Sequence, residues 1–172
     1  MRSDSISIRP GVAGVVVNDE GNILLHKRRV EHAWAPPSGA VNPGEDVRGA
    51  LKRELREEAC LEVEIDRFVG LYSDPAFQVV DDPAGDSIHF VTSLFACRVS
   101  DGRLEGSDEG LDWGWYEPEG LPDPLLPYAE RWLTDTLAGH ARPVVREGAR
   151  HTRGGGGWAV YTSDAAAEEG RG

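Results

Sequence analysis

The sequence predicts an α/β fold, a mixed β-sheet flanked by helices. Three observations lead there. The 172 residues are 40% hydrophobic and 28% charged, a globular composition at a length that suits one domain with a short appendage. Strand-like and helix-like stretches are interspersed without the regular βαβ rhythm of an all-parallel sheet. The first β-rich run is apolar nearly throughout, as expected of a strand buried on both faces.

The elements follow in chain order. "GVAGVVVNDEGNILLHKRR" (11–29) carries two β-rich runs around Asp19-Glu20-Gly21-Asn22, the signal of a hairpin. "EHAWAPPSGAVNPGE" (31–45) is rich in Pro and Gly and reads as a shaped loop with a short strand at Ala40-Val41. "DVRGALKRELREEA" (46–59) reads as a helix with acids in its first turn. "LEVEIDRFVGLYS" (61–73) and "SIHFVTSLFACRVS" (87–100) read as strands, and "DPAFQVVDDPAGD" between them as a loop or wide turn. "LDWGWYEP" (111–118) is a short aromatic strand. "PLLPYAERWLTDTLAG" (124–139) is an amphipathic helix with Leu125, Tyr128, Ala129, Trp132, Leu133 and Leu137 on its apolar side and Gly139 as its stop. The predicted domain therefore spans 1–139. Residues 140–172 form a tail, with a linker-like "GGGG" at 154–157 and a candidate strand "WAVYT" at 158–162.

Charge and cysteine usage narrow the function. A formal net charge of −12 repels a nucleic-acid backbone, so a duplex or long RNA partner is not expected. A small anionic substrate remains compatible if a cation or a local basic cluster meets its charge. No apolar run reaches the 18 or so residues of a membrane span, and "MRSDSISIRPG" lacks a signal-peptide core. Two cysteines, Cys60 and Cys97, predict free thiols. The expected location is the cytoplasm, and a homodimer is kept among the expected partners.

The helix over 46–59 poses the chemical question. Glu54, Glu57 and Glu58 are neighbours at i, i+3 and i+4, a like-charge arrangement that destabilises a helix by a few tenths of a kcal/mol per pair. On a helical wheel their mean direction falls roughly 40° from the face made by Val47, Ala50, Leu51 and Leu55. Arg48, Lys52 and Arg56 take the other side. A merely solvated face would set the glutamates opposite the leucines. Carboxylates converging on a half-buried site need a counter-charge. Arg53, at i, i+4 from Glu57, neutralises one. The rest call for a hard divalent cation, Mg²⁺ or Mn²⁺, because the ligands are oxygens alone. Gly39 and Gly44 let the preceding loop fold close to the site. Glu45, at the end of that loop, either caps the helix or joins the cation cluster.

Gly39, Glu45 and then Arg53-Glu54-Leu55-Arg56-Glu57-Glu58-Ala59-Cys60-Leu61 resemble the Nudix box, G-x5-E-x7-R-E-U-x-E-E-x-G-U with U apolar. Cys60 stands where that family has glycine. Six fixed positions coincide by chance less than about once in a million starts. Weaker resemblance runs from about residue 10 to 138, through Trp34, Pro37 and Trp115; Ser38 and Asn42 depart from the usual glycine and acid. The resemblance implies a Nudix-like α/β/α sandwich and hydrolysis of a pyrophosphate linkage in a nucleoside diphosphate joined to another group, ADP-ribose or a similar nucleotide. It implies Glu54, Glu57 and Glu58 as Mg²⁺ ligands, with Arg53 holding a glutamate by an ion pair. The alternative is a domain of the same fold that senses a nucleotide without cleaving it. Retention of every box glutamate favours the enzyme.

The chemistry agrees with that implication. A diphosphate is shielded from water by its own charge, and divalent cations remove the shield and acidify water. A carboxylate then serves as general base. The later candidates are Glu105, Asp108 and Glu109 in "LEGSDEGLDW", and the resemblance favours Glu109, because similar proteins often carry an acid about six residues before the strand tryptophan, here Trp115. Glu57, Glu58, Arg53 and Glu109 thus make up the expected catalytic set. Arg28, Trp34, Gly39 and Glu45 are the expected substrate-side residues. Arg28 or its neighbour Arg29 would meet phosphate. Trp34, Tyr72, Phe77 and Trp113 are candidates to stack on a base, against the competing role of core packing. "GLYSDP" (70–75) is similar to a stretch in ADP-ribose pyrophosphatase-like members. Cys60, at the helix stop, is expected in the left-handed backbone region where glycine is usual.

Overall fold

A computed structural model of the chain describes residues 6–81, 84–105, 112–146 and 148. Strand β1 (Ile6–Val17) leads to β2 (Ile23–Lys27), β3 (Trp34–Ala35) and β4 (Ser38–Ala40). Helix α1 (Val47–Ala59) is followed by β5 (Leu61–Tyr72), the one-turn α2 (Pro75–Gln78), β6 (Val79–Asp81) and β7 (Ser87–Gly102). Strand β8 (Asp112–Tyr116), helix α3 (Pro127–Ala138) and β9 (Val144–Val145) complete the order. The sheet is mixed, in the order β3-β2-β1-β7-β5-β9, with β4 on β1, β6 on β7 and β8 on β2.

Strand β1 organises the sheet. It runs parallel to β7 from Ile6↔Ser87 to Val17↔Arg98. Its other edge accepts β4 at Gly11–Ala13 and meets β2 at Val17↔Ile23 alone. The expected hairpin therefore opens at once, and β2 turns away to pair with β8 and β3. Alternate residues of β1 feed opposite cores, as a strand buried on both faces requires. Ala13 and Val15 join Ile23, Leu25, Leu94, Trp132 and Leu133 on the α3 side. Val12 and Val16 join Leu24, Leu51, Leu55 and Leu61 on the α1 side. The result is helix, sheet, helix, as expected.

Local signals set the helix ends. The Asp46 side chain accepts from Gly49 N–H at 2.9 Å, so Asp46 caps α1 and the acids stand before the first turn rather than in it. Helix α1 ends at Cys60, with φ 57° and ψ 32°, the left-handed conformation expected there. Helix α3 starts with Pro127 and ends at Gly139 in the same conformation. Leu137 is 51% exposed and so lies off the apolar face assigned to it, while Leu126, just before the helix, is buried.

Two stretches depart from expectation. The loop assigned to 74–86 contains α2 and β6, because Asp74 caps a turn and Val79–Asp81 pairs with the β7 edge. Residues past Gly139 return to the sheet: β9 lies parallel to β5 against Gly70, where a Cβ would collide with the Val144 carbonyl. The expected strand 158–162 lies outside the described residues. Among the described residues no helix is long and apolar enough to cross a membrane.

Candidate active site

Strand β4 and helix α1 meet where the glutamates lie. Any Cβ at Gly39 would collide with the Glu54 carboxyl group, so glycine there lets the carboxylate lie flat against β4. Arg53 ties the two elements together. Its Nε donates to Glu45 Oε1 at 2.5 Å and its Nη2 to Glu45 Oε2 at 3.0 Å. Nη2 also donates to the Ala40 carbonyl at 3.1 Å, and Nη1 to Glu54 at 3.0 Å and Glu57 at 3.3 Å. One guanidinium thus spends its whole donor fork on the site. These contacts, Glu45 first, raise the Arg53 pKa further above its ordinary value.

Glu45 is settled by the same geometry. Asp46, not Glu45, caps α1, and both Glu45 oxygens are engaged by Arg53, one also by the Asn42 N–H at 3.0 Å. Hydrogen bonds from Arg53 and then Asn42 hold its carboxyl below the ordinary range. Its part is to position Arg53 rather than to touch a substrate.

The three box glutamates divide. Glu54 is 13% exposed and Glu57 is 61% exposed. Glu54 and Glu58 line a cavity of about 270 Å³. Burial, then the Glu54 charge and a hydrogen bond with Glu54, push the Glu58 pKa up to about 7. Glu54 and Glu58 face the cavity, while Glu57, on the exposed side of the same turn, pairs with Arg53 and lines the neighbouring cleft with Glu58. No three His, Cys, Asp or Glu side chains among the described residues converge tightly enough to hold an ion. The pair itself fits a hard cation. Its donors are all oxygens, and burial together with the Glu54 charge pushes the Glu58 carboxyl up, the direction expected where two carboxylates share too little positive charge.

Arg28 lines this cavity and also a neighbouring cleft of about 550 Å³ with Arg29, Glu57, Glu58 and Trp113. Its ion pair with Glu31 spans 3.5 Å, and its charge draws the Glu58 pKa down. The four aromatic candidates separate clearly. Phe77 lines the cavity. Trp113 lines the neighbouring cleft and stacks on His26 at 4.3 Å and 12°. Trp34 is corrected to a core residue: it is 9% exposed, packs edge-on to Tyr116 at 5.2 Å, and its backbone bonds Pro124 and Leu126. Tyr72 is also core, with its hydroxyl donating to Asp135 at 2.7 Å. Glu109 and Asp108 lie outside the described residues. Glu105 is exposed, its N–H bonded to the Ala59 carbonyl.

Gln78, Thr92, Phe90 and Tyr128 also line the cavity and were not anticipated from sequence. A loop reading hid Gln78, and a strand reading gave no reason to single out Thr92. The available signal was a polar side chain amid apolar ones in "PAFQVV" (75–80).

The model of the NUDIX domain matches residues 7–136. This chain belongs to the Nudix family. It is 28% identical over 138 residues to an RNA pyrophosphohydrolase of Novosphingobium aromaticivorans, covering 72% of this chain and 86% of that one. It is 32% identical over 120 residues to an ADP-ribose pyrophosphatase of Methanocaldococcus jannaschii, covering 67% and 66%. Among solved structures, the MutT Nudix hydrolase of Burkholderia pseudomallei superposes with a TM-score of 0.56 at 28% identity, over 75% of this chain and 98% of that one. The chain is accordingly a Nudix hydrolase, and the matched span includes the box read from the sequence.

Proposed function

We propose that this Nudix hydrolase cleaves the pyrophosphate linkage of a nucleoside diphosphate joined to another group, with Mg²⁺ as cofactor and Mn²⁺ as a substitute. The observation that carries the reading is the Glu54–Glu58 pair, short of positive charge, lining a cavity together with Arg28. Glu54 and Glu58, with Glu57 from the exposed side of the same turn, are the carboxylates that would hold the cation. When bound, it supplies charge neutralisation on the diphosphate and acidifies water beside it. Arg53 positions Glu54 and Glu57, Glu45 positions Arg53, and Arg28 meets phosphate oxygens. Glu109, from the sequence stretch before β8, is proposed as the general base.

A free nucleotide suits the chain better than an RNA end, because a net charge of −12 repels a polyanion more strongly than a small molecule. The similarity to an ADP-ribose pyrophosphatase and the "GLYSDP" stretch make ADP-ribose the first compound to assay. Free thiols at Cys60 and Cys97 suit a reducing cytoplasm. The test is a panel of nucleoside diphosphate compounds with and without Mg²⁺, read by chromatography of the nucleoside monophosphate released. Mg²⁺-dependent release from at least one compound is expected. No release from any member, or release indifferent to the cation, overturns the proposal.

A further inference from the structure

The cavity is lined by groups of mixed character. Glu54, Glu58 and Arg28 line it together with Phe77, Val80, Phe90 and Tyr128, whose ring lies beside Arg28. Two buried polar groups sit among the apolar walls, and the chemistry above uses neither. Gln78 is 6% exposed and Thr92 is 4% exposed. The Thr92 hydroxyl donates to Gln78 Oε1 at 2.9 Å. A carboxamide has one acceptor oxygen and two N–H donors. With its oxygen taken, Gln78 has its N–H groups left to offer a ligand. Trp132 lines the same cavity, with its indole nitrogen buried away from the accessible surface. Gln78 therefore brings hydrogen-bond donors to a cavity wall that is otherwise largely apolar.

Gln78 cannot easily reorient. It closes α2, whose N–H groups at Phe77 and Gln78 bond the Asp74 carbonyl at 2.9 Å, while the Asp74 side chain accepts from Ala76 N–H at 3.0 Å. Arg131 braces the same turn, with an ion pair to Asp74 at 3.7 Å and its guanidinium 3.8 Å from the centre of the Phe77 ring. Thr92 sits on β7, deep in the sheet, paired with Gly11 and Tyr72. The fold therefore holds the backbone that carries both residues, and the Thr92 hydroxyl holds the Gln78 carboxamide.

We infer that Gln78, positioned by Thr92, determines base specificity: it selects a nucleotide whose ring presents a carbonyl oxygen, as hypoxanthine does, over one presenting an amino group there, as adenine does. The inference rests on the nucleotide reading above and refines it. ADP-ribose is then turned over, but less efficiently than the same compound carrying an oxo base. A buried donor facing an amino group leaves both unpaired, and sites built this way reject the mismatched ring by much more than apolar contacts can.

The test separates this inference from the hydrolytic reading by measuring binding without chemistry. Inosine and adenosine monophosphates differ at the ring edge in question, and their affinities are measured calorimetrically with no cation present. Wild type is expected to favour the inosine nucleotide by about 10-fold, the scale of one matched against one mismatched hydrogen bond. Gln78→Leu should bring the ratio to about 1. Gln78→Glu, which replaces donors by an acceptor, should reverse it. Thr92→Val keeps Gln78 but frees its carboxamide to rotate, and the ratio should fall toward 1 with the fold unchanged by circular dichroism. A purely structural role for either residue would weaken both nucleotides equally and leave the ratio standing, which overturns the inference. So does a wild-type ratio within about 2, a preference for the adenosine nucleotide, or no binding of either. Retained preference in a protein that hydrolyses no diphosphate compound would instead sink the hydrolytic proposal and leave this one in place.

Discussion

Arg53 and Arg146 each tie a carboxylate network to the sheet, and the two networks are balanced differently. Arg146 donates through Nε to Asp135 Oδ2 at 2.9 Å and through Nη2 to Oδ1, and Tyr72 adds a third hydrogen bond to the same group. Burial pushes the Asp135 pKa up, but the Arg146 and Tyr72 hydrogen bonds outweigh it and hold the carboxyl below its ordinary value. Around Arg53 the opposite holds. One guanidinium faces Glu45, Glu54 and Glu57, and nothing in that network neutralises Glu58, which is driven up to about 7. A neutralised buried carboxylate staples α3 to the returning chain. An under-neutralised one leaves room for a cation. The second pattern, not acidity alone, marks the site.

The largest expected effect tests the open network. Glu58→Gln and Glu57→Gln should each lower kcat by at least ~10²-fold with the fold intact, the scale of losing metal-dependent charge stabilisation. Steady-state kinetics at saturating Mg²⁺ check it. Turnover near wild type for Glu57→Gln would reduce the cation's carboxylates to Glu54 and Glu58. The same result for Glu58→Gln would erase the contrast between the two networks.

The closed network should matter to stability instead. Arg146→Ala leaves Asp135 buried beside Tyr72 without its cation, and should cost about 2 kcal/mol in urea unfolding while kcat holds. Truncation after Gly139 removes Arg146 and β9 together and should cost at least as much, again with hydrolysis largely retained. A soluble truncation with no activity would mean that residues after 139 serve the site directly.

The two networks should also respond oppositely to pH. Glu58 has a raised pKa in the folded state. Without a cation its stabilising contribution is full below about 4.5, its ordinary value, and is lost as pH climbs through about 7. Asp135 is lowered, so its contribution is present above about 3.8 and is lost as pH falls. Chelated protein should therefore lose on the order of 1–2 kcal/mol between about pH 5 and about pH 8, after allowance for partial solvent screening. Mg²⁺ or Glu58→Gln should flatten that slope. A slope unchanged by Glu58→Gln assigns the effect to another group.

The smallest effect concerns how α1 and α3 end. Both stops are left-handed, at Cys60 in one and Gly139 in the other. A Cβ there costs roughly 1 kcal/mol, so Cys60→Gly should raise stability by up to about 1 kcal/mol and leave kcat unchanged. A less stable glycine variant would mean that the exposed cysteine packs usefully. A large loss of activity would give the thiol a role that water attack does not require.

What the sequence determined by itself was what neighbouring residues decide. The α1 boundaries, the left-handed Cys60, the burial of β1 on both faces and the nearness of Glu54, Glu57 and Glu58 all follow from contacts within a turn or from side-chain alternation. Arg53 facing Glu57 follows from the same i, i+4 geometry. Tertiary structure decided the remainder. That β1 would leave its hairpin for Ser87–Arg98 depends on which distant strand satisfies its backbone edge. Trp34 went to the core because Pro124 and Leu126 bind its backbone, and Glu57 faces outward because β4 meets the Glu54 side of α1. Gln78 and Thr92, separated by 14 residues and lying on different elements, acquired their shared hydrogen bond only when α2 docked on β7. Helical spacing is a property of a few residues, whereas a cavity is lined from many elements at once, so its chemistry exists only after the chain has closed around it.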